Sequence, residues 1–461
     1  MRRKGLSLRV RERDGRFVQT VKAIGKEHAG TLSRGEWEDE IASRDPDLNG
    51  TETGRFLEPQ IVEQLKPVFR TEVRRDVVEL SPAPGTQIEA AIDDGKIIAP
   101  EQKRSLPITE IELELKSGEV TALYDIAQQL MAIAPLRITV HSKAERGYEV
   151  AAGQGKKATP AGAEPLELDP KLSAAAAFER IGHHCVEQIL RNETAALAGD
   201  PEGVHQMRVG SRRLRAAMSA FRKLLPDDQR RWASRELKWL ADTLGEARNL
   251  DVFKTAVLNP ARATIQDKED FRVLAEAVDR RQRAAYSAIE IAIGSPRYGT
   301  LLLGLLRWFD GRSWSDHGAV PELLLPISEV APSMLDRCHR LLKRQAKGFA
   351  DQSPAQQHEL RIALKKLRYT AELFGSLFPA RSVEKLSKVI KPLQDDLGSI
   401  NDVHIGEALL DELAKASEPS AGIVASGRNV MEWHKDRLRE KAKKIGKRLR
   451  LLRKAHPFWR S

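Results

Sequence analysis

The sequence predicts an α+β protein of two unlike parts: an antiparallel β-barrel or sandwich over residues 1–150, then an all-α part over 170–461. Three observations carry this. The first part alternates apolar and polar residues with period two between turn signals. The second part has helical periodicity and repeats itself with an offset of 153 residues, which points to two bundles related by a pseudo-two-fold axis. Between them, AAGQGKKATPAGAEPLELD (151–169) is small, polar and Pro/Gly-rich and reads as a linker.

In the first part, LSLRVRE and RFVQTVKA flank Asp14-Gly15, a hairpin signature. EWEDEI, VFRTEVRRDVVEL, QIEAAIDDGKII, TEIELELK and LRITVHSKAERGYEV continue as strands, and VTALYDIAQQLMAIA is the one helix among them. Glu110, Glu112 and Glu114 alternate along one strand face, where they would repel unless a cation sits between them.

In the second part, VHQMRVGSRRLRAAMSAF (204–221) forms an amphipathic helix. At 100° per residue, His205, Arg208, Arg212 and Arg215 fall within an arc of roughly 80°. Met207, Leu214, Met218 and Phe221 lie opposite, as a core face. The stripe carries one sign of charge, although like charges at i,i+4 repel. An offset of 153 rebuilds it in QHELRIALKKLRYTAELF: His205 meets His358, Arg208 Arg361, Arg212 Lys365, Arg213 Lys366 and Arg215 Arg368. Phe221 meets Phe374, Cys185 meets Cys338, Arg235 meets Lys388 and Lys238 meets Lys391. The copies run from about 170 to 325 and from 326 to 461. Charge sign and spacing survive while identities change, so the stripe is a feature in its own right. Two stripes facing one groove would suit a long, flexible anion, gripped by Arg forks and Lys point charges.

Composition narrows the classes. The net charge is +11, but residues 1–150 hold 23 basic against 26 acidic residues, so the helical part is the anion-seeking one. Two cysteines are too few for a disulfide framework or a cysteine zinc site. MRRKGLSLRVRERDG lacks an apolar h-region and no run has the length of a membrane span, which predicts a cytoplasmic protein without a membrane partner.

Residues 170–461 resemble the CHAD domain family, carried by VHQMRVGSRRLRAAMSAF with LGEARNLDV, QHELRIALKKLRYTAELF with LGSINDV, and the terminal HPFWR. The resemblance implies two four-helix bundles and inorganic polyphosphate bound in a basic central groove. The matching positions are His205, Arg208, Arg212, Arg213, Arg215, His358, Arg361, Lys365, Lys366 and Arg368, and the repeat adds Arg235, Lys238, Lys388 and Lys391. It leaves open whether the protein is free or associated with polyphosphate granules. Nucleic acid is the rival polyanion, but the stripe offers neither stacking aromatics nor a groove-reading element.

Residues 1–150 resemble the CYTH family of triphosphate tunnel metalloenzymes, which implies an eight-stranded antiparallel tunnel. Its basic residues would hold triphosphate: Arg9, Arg11, Lys22, Arg70, Arg74, Lys116 and Lys143. Its acidic residues would hold Mg²⁺ or Mn²⁺: Glu36, Glu38, Glu89, Asp93, Glu110, Glu112 and Glu114. The family opens with a strand carrying E-x-E-x-K, and this sequence begins at what should be the next strands. Either an upstream coding segment is omitted or the domain is degenerate, and weak or absent hydrolysis is expected of the chain as given. Three readings follow: a polyphosphate-binding protein with an impaired CYTH domain, an active metal-dependent inorganic tri/polyphosphatase with the helical half as substrate-binding module, and a nucleic-acid-binding or scaffolding protein.

Overall fold

The computed structural model describes residues 6–23, 36–47, 51, 65–153, 159–264, 268–312, 314, 320–416, 421–454 and 457–460. They form two compact units, one of residues 1–80, 89–114 and 141–156, the other of 81–88, 115–140 and 157–461.

Strands β1 (Leu6–Arg13), β2 (Arg16–Ala23) and β3 (Glu36–Ile41) form one antiparallel sheet in that order. Asp14 and Gly15 both take positive φ (51° and 77°), the backbone of a tight hairpin whose twist suits the flanking strands. A second sheet holds the long strands β4 (Arg70–Ala83), β5 (Thr86–Ala99) and β6 (Arg104–Ser117). Gly95 on β5 is required by close approach: a Cβ there would fall 2.0 Å from the Glu72 carbonyl oxygen.

The strands are antiparallel as expected, and the expected barrel, incomplete for want of its first strand, is seen as two sheets. Closure needs hydrogen bonding from strand to strand around the whole ring, and among the described residues pairing stops at the edges of two separate three-stranded sheets. A correction concerns LRITVHSKAERGYEV. Residues 135–142 have no regular structure, and Lys143–Ala151 is a helix, α2. The reason is local. Ser142 accepts from the Glu145 N–H while the Glu145 carboxylate accepts from the Ser142 N–H, a capping box that outweighs the period-two pattern. The expected helix before it is α1 (Thr121–Ile133).

The helical unit repeats as the sequence does. Helices α3 (Ala174–Leu197), α4 (Pro201–Ala220), α5 (Asp227–Val252) and α6 (Lys268–Ile293) are followed by α7 (Pro296–Asp310). Helices α8 (Ile327–Gln345), α9 (Pro354–Leu373), α10 (Ala380–Ala416) and α11 (Ala421–Lys454) begin 153 residues after α3, α4, α5 and α6 respectively. Equivalent elements meet one another: α4 packs on α9 and α6 on α11. Ser173 bridges Pro326, and the rings of Phe221 and Phe374 lie 6.1 Å apart. These pairs mark a pseudo-two-fold axis. The core is continuous along it, with Phe178, Phe221, Phe309 and Phe374 fully buried. No helix among the described residues is long and apolar enough to cross a membrane.

Candidate functional site

Helix α4 starts where Asp200 caps it, accepting from the Glu202 N–H at 2.8 Å, with Pro201 in the first turn. Ser353 and Pro354 repeat that start in α9. Gly203 and Gly210 let α4 approach α3 closely, since a Cβ at Gly210 would lie 2.9 Å from Ile189 and 3.0 Å from the Cys185 carbonyl oxygen. With Val204, Met207, Leu214 and Phe221 buried in the core, the basic stripe is turned toward α9.

The two stripes meet in a cleft of about 740 Å³. His205, Arg212 and Arg213 line it from α4, and Arg361, Lys365 and Arg368 from α9. Arg208 lies beside them, its guanidinium donating to the Ala241 carbonyl at 2.6 Å over Gly245. The cations are crowded and, Arg213 apart, half-buried. Burial, then the neighbouring Arg361, Arg212 and Arg208, push the Lys365 ammonium down to about 6. Burial and then Arg212 lower Arg208 to about 10. Burial and then Arg248 lower His205 to about 4. The Nε–H groups of Arg208, Arg212 and Arg361 are buried without an acceptor among the described residues. A buried charged donor lacking an acceptor is costly, and an anion entering the cleft would satisfy these groups, although the carboxylates of Glu164, Glu372, Asp395 and Asp402 also line it.

The other expected cations are placed differently. Arg213 is buried and donates to Gln188 at 3.2 Å, with its other contact to His184, so it also ties α4 to α3. Lys366 lies near Cys338, to the side of the cleft. Arg215 and His358 are exposed, with His358 Nδ1 3.2 Å from Asn401 Oδ1. Arg235 pairs with the buried Glu236, while Lys238 pairs with Asp242 and Lys388 with Glu384 at the surface. Lys391 is exposed on α10.

In the strand unit, Asp93 on β5 and Glu110 and Glu112 on β6 bring carboxylate oxygens within 4.8 Å of one another. Asp93 is fully buried. Arg75 donates to both Asp93 oxygens at 2.7 and 2.6 Å and to Glu112 at 2.6 Å. Lys143, at the start of α2, reaches Asp93 at 2.6 Å and Glu112 at 2.7 Å and also contacts Glu110, which Arg146 contacts too. Burial alone would raise the Asp93 carboxyl, but Arg75 and Lys143 outweigh it and hold Asp93 below its usual range. Arg75→Met is expected to destabilise the chain by about 1–3 kcal/mol, because Asp93 keeps its burial and loses a two-point partner. That contribution is present above about pH 4 and lost as pH falls through the depressed Asp93 value, so thermal melts of both proteins at pH 7 and pH 3 check it.

The remaining expected residues lie apart from this cluster. Arg70 pairs with Glu72 and Arg74 with Asp76 on the opposite face of β4 from Arg75. Arg9 is 3.8 Å from Glu38, both bonded to Thr20 on the first sheet. Arg11 is exposed on β1, and Glu114 and Lys116 on β6, while Glu89 is half-buried on β5. The backbones of Lys22 and Glu36 pair across β2 and β3, but their side chains lie outside the described residues.

Sequence reasoning missed Arg75, Arg146, Arg248, Tyr369 and Asp402. Strand parity would have found Arg75, since a one-residue shift moves a side chain to the other face. Arg248 stands inside LGEARNLDV, and its charge bears on His205 and Arg208. Tyr369 follows Arg368 on α9, and the guanidinium carbons of Arg212 and Arg368 lie 6.0 and 5.8 Å from its ring centroid.

A family model of the CHAD domain matches residues 180–411, half of the chain, across α4, α9 and the cleft between them. The chain belongs to the CHAD domain family. A model of the CYTH domain matches residues 1–148, which include both sheets and the carboxylate cluster. The crystal structure of the CHAD domain from the plant Ricinus communis matches 63% of this chain and 96% of its own, with 30% identity and a TM-score of 0.56. The helical half thus has the CHAD fold. An inorganic triphosphatase of Haemophilus influenzae is 36% identical over 146 residues, covering 31% of this chain and 40% of that protein. An uncharacterized protein of Mycobacterium tuberculosis is 30% identical over 222 residues, covering 46% of this chain and 41% of that one. The chain therefore matches about two fifths of the length of these curated relatives.

Proposed function

We propose that this CHAD protein binds inorganic polyphosphate in the cleft between α4 and α9. The observation that carries the reading is the set of buried Nε–H donors on Arg208, Arg212 and Arg361, which have no acceptor among the described residues, with Lys365 among them. A phosphate chain offers negatively charged oxygens at every unit, so a single flexible ligand satisfies several of these donors at once. Arg212 and Arg361 grip oxygens, Arg208 and Lys365 supply charge from the floor, and His205 donates once protonated. Glu372 accepts from Arg368 at 2.7 Å, and the charge of Asp402 favours the Arg361 guanidinium. Nucleic acid fits less well, since Tyr369 is only 6% exposed and offers a base little stacking surface. Polyphosphate is expected to raise the melting temperature of the full chain by several degrees near saturation, as a ligand that binds only the folded state does. Orthophosphate at equal ionic strength is expected to leave it within one degree, and an equal shift from both would contradict a chain-binding site.

A second reading concerns the strand unit, and the carboxylate cluster favours it. Asp93, Glu110 and Glu112 are hard oxygen donors of the kind Mg²⁺ and Mn²⁺ take, so they fit the metal that a CYTH domain implies. Bound there, the metal would polarise a phosphoryl oxygen. Arg75, Lys143 and Arg146 already sit on these carboxylates and would turn to phosphate oxygens when a triphosphate arrives. In this reading the unit is a triphosphatase, the activity for which the Haemophilus relative is named. Phosphate release from triphosphate with Mn²⁺ or Mg²⁺, abolished by Asp93→Asn, is the expected result. Release that persists with excess chelator, or in Asp93→Asn, would contradict it.

A further inference from the structure

Residues 159–169, expected to be a linker, run as a pinned strap along the helical unit. Asn192 on α3 is fully buried and makes both main-chain bonds to Ala161, donating to its carbonyl and accepting from its N–H, each at 2.9 Å. Leu166 and Leu168 insert into the core, and the Leu168 N–H donates to Ser376 Oγ at 3.0 Å. Between these pins, Ala163, Glu164 and Pro165 form a wall of the cleft, beside the basic groups of α4 and α9. A backbone held at both ends cannot swing aside without breaking its bonds and exposing two leucines.

The wall's chemistry is particular. Ala163 and Pro165 offer it small apolar side chains, and Pro165 has no backbone N–H to give an anion. Glu164 puts a negative charge at the rim, opposite the basic groups of α4 and α9, and Glu372, Asp395 and Asp402 line the cleft elsewhere. A ligand that fills the cleft broadly must press on this wall, whereas a slender one can lie along the guanidinium groups opposite. Among the described residues lining the cleft, Tyr369 is the one Phe, Tyr or Trp; its ring is buried, with the guanidinium carbons of Arg212 and Arg368 6.0 and 5.8 Å from its centroid.

We infer that this strap is the selectivity wall of the cleft, admitting an unbranched phosphate chain and turning away polyanions that carry sugars and bases. The inference rests on the polyphosphate reading above and deepens it. An inorganic chain needs only the width of its phosphate groups. Single-stranded nucleic acid needs that width plus room for a nucleoside at each phosphate, with a platform on which bases stack. Glu164 weakens every anion modestly, and the pinned backbone supplies the discrimination.

The test is a pair of titrations on the full chain, with polyphosphate and with single-stranded RNA of matched charge, for the wild type and three variants. Wild type is expected to bind RNA at least about tenfold more weakly than polyphosphate. Asn192→Ala, which unpins the strap, is expected to bring the two within about threefold by strengthening RNA binding, with polyphosphate affinity changed by less than about twofold. Pro165→Gly loosens the strap between its pins and is expected to act the same way, keeping the test open if Asn192→Ala fails to fold. Glu164→Gln is expected to strengthen both ligands about twofold and leave their ratio unchanged. An unchanged ratio in a folded Asn192→Ala and in Pro165→Gly would overturn the selectivity wall while leaving polyphosphate binding intact. Failure of the wild type to bind polyphosphate would instead remove the reading on which the inference rests, and the inference with it.

Discussion

Reversing two charges together, Arg212→Glu and Lys365→Glu, is expected to abolish polyphosphate binding, weakening it by more than about a hundredfold. The two residues stand at equivalent positions of the repeat and line one cleft. Each charged hydrogen bond to an anion contributes about 1.5–3 kcal/mol, so losing two of them alone accounts for that factor. Repulsion from the new carboxylates adds to it. Glu112→Gln is the control, since Glu112 belongs to the carboxylate cluster of the strand unit and is expected to leave polyphosphate affinity within about twofold. Both affinities come from calorimetric titration of the full chain at moderate salt. Retained binding by the double variant would place the polyphosphate site elsewhere on the molecule.

The second large effect is on pH. Unliganded, the Lys365 ammonium titrates at about 6, so at pH 8 it is mostly neutral. A bound phosphate chain favours the charged form and raises that value. Between the two values, binding takes up a proton, and affinity rises as pH falls. The expected slope is up to about tenfold per pH unit between about pH 8 and pH 6, flattening below as Lys365 becomes charged before binding. Lys365→Met removes the proton uptake and most of the slope. The group is flanked by Arg361 on its own helix, Arg212 and Arg208 on α4 and Asp402 on α10, and the first three hold its value down. His205, lowered to about 4, adds a shallower rise at the acid end. Calorimetry in two buffers of different ionisation enthalpy reads the proton count directly. A flat pH profile in the wild type would mean that Lys365 carries its charge in the free protein.

Much of this was legible in the sequence, and the exceptions have physical causes. The 153-residue offset located the stripes, and in the structure the helix starts follow the same offset, because capping residues such as Asp200 and Ser353 repeat along with the core. The Asp14-Gly15 hairpin was legible from its turn residues. Period-two alternation misread 143–150, where the Ser142–Glu145 capping box starts a helix. It also could not say which strand edges pair, and the expected barrel resolves into two sheets. Within the cleft, helical spacing identified Arg212, Arg361 and Lys365. The repeat offset also admitted Lys238 and Lys388, which instead pair with acids four residues away on their own helices. The strap was least legible. Its composition reads as a linker, and only the tertiary pins at Asn192, Leu166 and Leu168 make it a wall.

The central claim is that the cleft between α4 and α9 is a dedicated polyphosphate site. Its most direct test is a polyphosphate titration of the full chain at two salt concentrations, with RNA of matched charge as competitor. Tight binding at low salt is expected, weakening steeply as salt rises because counterions are released from a polyanion, and matched RNA is expected not to displace it. Weak binding, or ready displacement by RNA at equal charge, would show the stripes to be a general basic surface and would contradict the account.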